Sequence, residues 1–107
     1  MRDKMTKYMA VLIDRNGDVV TDFEENTIEK IHQDFNDFGG SWLFYPYVFI
    51  IKKPKGYAMK DLAKQKILDV VALEKLDFMK GWTVSRAIKK IVTENAKLKK
   101  GEPLWGL

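Results

Sequence analysis

The chain has no cysteine and a single histidine, His32. The first absence excludes disulfides, thiolate metal sites and cysteine nucleophiles. The second leaves His32 without a second histidine or cysteine to complete a nitrogen and sulfur metal site. Long apolar runs are missing too. The longest spans ten residues, 42–51, and is broken by Pro46, whereas a membrane-spanning helix needs about 20. Residues 1–7 carry charge, with no apolar run behind them of signal-peptide length. There is no phosphate-binding glycine loop, nucleophile elbow or dinucleotide fingerprint. The chain is therefore read as a non-enzymatic, cytoplasmic protein with no membrane partner, and no catalytic, cofactor-binding or metal-ligating residue is assigned.

What is present is a division of charge. Residues 1–50 hold five Lys/Arg and nine Asp/Glu, and residues 51–107 hold 14 and six, so net charges of −4 and +8 give the chain its +4. Such asymmetry suggests an electrostatic partner for one half. With 107 residues, 46% of them apolar, the chain is expected to form one domain with a modest core.

The order of elements predicts an α+β fold. Residues 7–13 read as a strand, Asn16-Gly17 as a two-residue type I′ turn, and 19–23 as the returning strand. Residues 26–38 read as a helix capped by Asn26, with Glu29 completing a capping box. Its apolar face is Ile28, Ile31, Phe35 and Phe38, and Gly39-Gly40 ends it. Residues 42–53 are the most β-prone, and both parities are apolar. Such a strand is covered on both faces or offers one to a partner, and Pro46 demands an edge, bulge or break. After a turn at Lys53-Pro54-Lys55-Gly56, residues 57–81 are helix-prone in two pieces, with a break near 69–73 where Val70-Val71 also suits a strand. Residues 83–98 form the cleanest helix, capped by Thr83, with Val84, Ala87, Ile88, Ile91 and Leu98 inward. Segments 1–6 and 102–107 are read as flexible or docking tails.

Opposite that apolar stripe lie Arg86, Lys89, Lys90, Lys97 and Lys100. With Lys52, Lys53, Lys55, Lys60, Lys64 and Lys66 they would form a positive surface of the kind that binds phosphates; the plainer reading is a solvated helix face. Aromatics beside lysines in 42–57 have core spacing, but Tyr45, Tyr47 and Tyr57 carry hydroxyls that need partners. With Trp105 in the tail, they are the candidate interaction aromatics. Residues 73–98 vaguely resemble a helix-turn-helix. Asp77 occupies the position that needs a small residue, and no Asn or Gln falls in the first two turns of the second helix, so a two-helix corner is the expectation. Residues 14–25 place oxygen-bearing side chains at positions 1, 3, 5, 9 and 12 and so resemble an EF-hand loop. Val19 sits where that loop needs glycine, and a strand precedes it, so the hairpin reading is kept. His32 flanks the apolar face of the first helix and reads as a partly buried structural residue. Two functions follow. One is a protein-interaction module that binds a protein partner or self-associates as a homo-oligomer. The alternative is a nucleic-acid-binding accessory protein using the Lys/Arg-rich half.

Overall fold

A computed structural model describes residues 6–38, 45–71 and 74–99, with the side chains of Glu74, Leu98 and Lys99 left aside. Four strands form one antiparallel sheet: β1 (Tyr8–Ile13), β2 (Val19–Glu25), β3 (Tyr47–Lys52) and β4 (Asp69–Val70), in the order β2-β1-β3-β4. The helices are α1 (Ile28–Phe38), α2 (Met59–Ala63) and α3 (Val84–Lys99), and a 3-10 segment, Glu74–Met79, precedes α3. The fold is α+β, as the order of elements predicted.

β1 and β3 are central because both their parities are apolar. Met9, Val11 and Ile13 stand opposite Ile51, Phe49 and Tyr47 on one face. These six pack with Leu76, Met79, Val84, Ala87 and Ile91 from the 3-10 segment and α3. On the other face Ala10, Leu12, Val48 and Ile50 pack against Ile31 and Phe35 of α1. Both faces of β3 are thus covered within the chain, and the strand no longer argues for a second subunit. β4 is the strand hinted at by Val70-Val71, and it replaces the expected plain break between two helical pieces. The element before α3 is a 3-10 segment of six residues, so the corner there is not a helix-turn-helix.

The hairpin forms, but with a different turn. Type I′ needs positive φ at both central residues, and Asn16 does not have it; in the turn only Gly17 does, at 90°. Asp14 is the reason. Its Oδ1 accepts the N–H groups of Asn16 at 2.8 Å and Asp18 at 2.9 Å, and its carbonyl accepts the Gly17 N–H at 3.1 Å. An aspartate-held turn followed by a left-handed glycine results. Residues 14–25 therefore form a turn and strand β2, not a loop between two helices.

The cap of α1 is also shifted by one residue. Thr27 Oγ1, not Asn26, accepts a first-turn N–H, that of Lys30, at 3.1 Å, and with lysine at that position no capping box forms. Phe38 is 61% exposed, so the apolar face of α1 ends at Phe35. In α3, Thr83 caps as expected, taking the Arg86 N–H at 3.2 Å.

β2 contains a bulge. Tyr8 faces Glu25 and Ala10 faces Asp22, so Phe23 and Glu24 together oppose Met9. Phe23 takes φ 54°, a left-handed conformation that costs a non-glycine residue about 1–3 kcal/mol. Edge-on contacts with Phe35 and Phe38, at centroid distances of 6.1 and 5.9 Å, offset that strain. The bulge matters for the site, because it turns Glu24 toward the end of β3.

Gly39-Gly40, residues 42–44, Lys100, Trp105 and the segments 1–5 and 102–107 lie outside the described residues.

Candidate functional site: a lysine-lined cleft

The end of β3 concentrates positive charge. Strand alternation turns Ile51 inward and Lys52 outward. Lys53 extends the ladder through its N–H to the Lys7 carbonyl at 2.8 Å, and Pro54, having no N–H, leads the chain off the sheet. The chain returns through α2, which Leu62 anchors in the core. Between them opens a cleft of about 460 Å³, walled by Lys52, Lys53, Lys55 and Lys64 with Asp61 as its acid. A second hollow of about 600 Å³ shares Lys52 and Lys53 and adds Lys7, Thr6 and Leu68.

The floor is held by a network. Lys53 Nζ lies 2.7 Å from Glu24 Oε1 and donates to Thr6 Oγ1 at 3.1 Å. The Tyr57 hydroxyl donates to Glu24 Oε2 at 2.7 Å. The Lys53 and Tyr57 hydrogen bonds hold the Glu24 carboxyl below its usual range. In return Glu24 raises both the Lys53 ammonium and the Tyr57 phenol. Lys53 is therefore committed to Glu24, while Lys7, Lys52, Lys55 and Lys64 are exposed and make no ion pair among the described residues. Exposed, flexible ammonium groups offer point charges to phosphate or carboxylate oxygens without geometric selectivity.

A backbone ladder links the cleft to α3. Gln65, which lines the cleft, accepts the Val84 N–H at 2.9 Å, and Ile67 exchanges bonds of 2.8 Å with Gly81 and Trp82. Lys66 bridges to Thr83 between them. Beyond it Arg86 lies over Trp82, 3.8 Å from the ring centroid.

The basic face of α3 is thinner than its sequence implied. Lys90 and Lys97 both bind Glu94 Oε2, at 3.3 and 3.2 Å, and that side chain is only 5% exposed. Glu94 is thus a buried anchor for two lysines of the stripe. Lys89 is exposed and Lys100 lies outside the described residues. Tyr47, a candidate interaction aromatic, belongs to the core instead. It is 1% exposed and its hydroxyl accepts a hydrogen bond from Asn95 Nδ2 at 3.0 Å. Tyr45 is half-buried against the α1 side of the sheet. Tyr57 is 52% exposed at the rim of the network, and Trp105 is outside the described residues.

His32 has a partner that no residue pattern reveals. Its Nε2 donates to Asp69 Oδ2 at 2.8 Å, joining α1 to β4, and Lys80 Nζ lies 3.2 Å from Asp69 Oδ1. Burial pushes the Asp69 carboxyl upward, but the His32, Val70 N–H and Lys80 interactions outweigh it and hold the group below its ordinary value. A carboxylate depressed in the folded state stabilises the fold above its unfolded pKa of about 4, and that contribution is lost as pH falls through the lower folded value. Asp69→Asn is expected to reduce stability at neutral pH and to flatten the loss of stability below about pH 4. Urea titrations across that range check it; an unchanged acid limb would remove Asp69 from the fold's acid sensitivity.

No known family, curated protein or solved structure matches the chain. Among the described residues no helix is long and apolar enough to cross a membrane.

Proposed function

We propose that the chain is a nucleic-acid-binding accessory protein that holds a phosphate backbone in the lysine-lined cleft. One observation carries this reading: Lys52, Lys55 and Lys64 meet around a single cleft, with Lys7 beside them in the adjoining hollow. Among the described residues Asp61 is the one acid in the cleft lining, and Glu24, from the acidic half, is bound to Lys53 and Tyr57. The protein-interaction reading rested on the opposite charges of the two halves, the aromatics and Trp105 as well as on the apolar strand; of these grounds the strand lends it no support, since both faces of β3 are covered. Binding of this kind takes most of its free energy from released counterions, so it is steeply salt-dependent and nearly indifferent to base sequence.

The test is fluorescence anisotropy with a mixed-sequence oligonucleotide between about 50 and 200 mM salt. Combining Lys52→Ala, Lys55→Ala and Lys64→Ala is expected to flatten the plot of log affinity against log salt by about 2 to 3 units, since each lost phosphate contact removes about 0.7 to 0.9. These side chains are exposed, so the thermal melt should be unchanged. Full affinity in the triple variant would remove the cleft from the binding surface. Tighter binding of polyglutamate than of the oligonucleotide would assign the cleft to an acidic protein segment.

A further inference from the structure

We infer that Phe78, Trp82 and Arg86 form a stacking platform for an unpaired base, so that the polymer held by the cleft is single-stranded. The inference rests on the nucleic-acid reading of the cleft and deepens it. Its own observation is independent of the lysines. The Arg86 guanidinium carbon sits 3.8 Å from the centroid of the Trp82 ring. Phe78 meets the same ring edge-on, at 5.5 Å and 78°. Trp82 also packs against the core, which fixes the ring that supports the other two. Phe78 is 52% exposed and Arg86 is exposed.

A guanidinium laid on tryptophan is already flat and oriented, and planar guanidinium and aromatic surfaces are what splayed-out bases stack on. The backbone beneath is hydrogen-bonded at both its N–H and its carbonyl. Trp82 donates its N–H to Met79 at 2.9 Å and accepts that of Ile67 at 2.8 Å. Two residues along from Trp82, Val84 is bonded to Gln65 in the cleft wall, and exposed Lys66 stands between. The pairing of residues 65–67 with 81–84 makes the cleft wall and the segment carrying Trp82 neighbours in the fold, and a nucleic-acid strand running from one to the other is the path we infer. In a duplex the bases stay stacked on one another and their faces are not offered. Arg86 over Trp82 would also serve a purely structural end, shielding indole from water, and the experiment separates the two roles.

Three probes of about 20 nucleotides are compared at one salt concentration: oligothymidylate, an abasic strand of equal charge, and a mixed-sequence duplex. Each is titrated against the wild-type chain, Phe78→Ala and Arg86→Lys, with thermal melts confirming the fold. The expected result is oligothymidylate binding about tenfold or more tighter than the abasic strand, consistent with base–aromatic stacking. Both variants should lose most of that difference and leave abasic binding unchanged. Arg86→Lys keeps the charge, so its loss reports planarity, and it remains informative should Phe78→Ala fail to fold. Equal binding of oligothymidylate and the abasic strand would overturn the platform and leave the cleft reading standing. No binding of any probe at low salt would overturn both.

Discussion

Phe49→Ala is expected to lower the unfolding free energy by about 3–5 kcal/mol, the cost of an aromatic-sized cavity in a packed core. Phe49 is fully buried and lies mid-sheet, opposite Val11 on β1 and Val70 on β4. Neither neighbouring strand can move to fill the gap without breaking its own ladder, and the helical layer above is tied down by Leu76, Met79 and Ile91. For a domain of this size such a loss is a large part of the whole stability. Phe38→Ala provides the contrast. That ring is 61% exposed and touches Phe23 edge-on, so its removal should cost about 0.5–1.5 kcal/mol. Urea denaturation of the two variants checks the pair. Equal losses would contradict the central position of β3.

The contrast also shows what a pattern of residues can and cannot convey. The apolar parities of 42–53 left two options, a strand covered on both faces or one offering a face to a partner, and over 47–52 the structure supplies both covers. Residue spacing likewise located α3 and its inward Val84, Ala87 and Ile91. Phe38 was misplaced because helical periodicity assigns a direction, while exposure depends on where the facing sheet ends. Glu94 and Asn95 were missed for a related reason. Polar residues on an apolar stripe read as errors in the pattern until the partners appear, and Lys90, Lys97 and Tyr47 are those partners.

The candidate site was legible only as composition. Lys52, Lys53, Lys55 and Lys64 were visible as part of a lysine-rich half, and their convergence comes from the turn at Pro54 and the short α2. The pairing of Glu24 with Lys53 spans 29 positions and depends on a bulge in β2 that no turn residue announces. His32 with Asp69 is 37 positions apart and was equally out of reach. The stack of Arg86 on Trp82 had a local signal, a four-residue spacing at the start of a helix, but Arg86 was read only as part of a basic face.

Gly17→Ala tests a contact that ties the two ends of the fold together. Gly17 has φ 90°, and a Cβ there would meet Val92 Cγ2 at 2.8 Å and Ile88 Cγ2 at 3.4 Å. The hairpin tip therefore rests directly on α3, and two penalties add in the variant. Alanine in a left-handed conformation costs about 1–2 kcal/mol. Forcing a methyl group against a β-branched side chain, whose rotamer the helix fixes, costs about 1–3 kcal/mol more as overpacking. A total of about 2–5 kcal/mol is expected from those two effects. Val92 is 43% exposed, so Val92→Ala alone should change stability by less than about 1 kcal/mol. In the double variant the clashing methyl is gone while the backbone strain remains. Gly17→Ala with Val92→Ala should therefore be less destabilised than the two single losses combined, by about 1–2 kcal/mol of coupling. A double-mutant cycle by chemical denaturation measures that difference. Strictly additive losses would mean that the turn does not bear on α3, and the cost of Gly17→Ala would then belong to its φ alone.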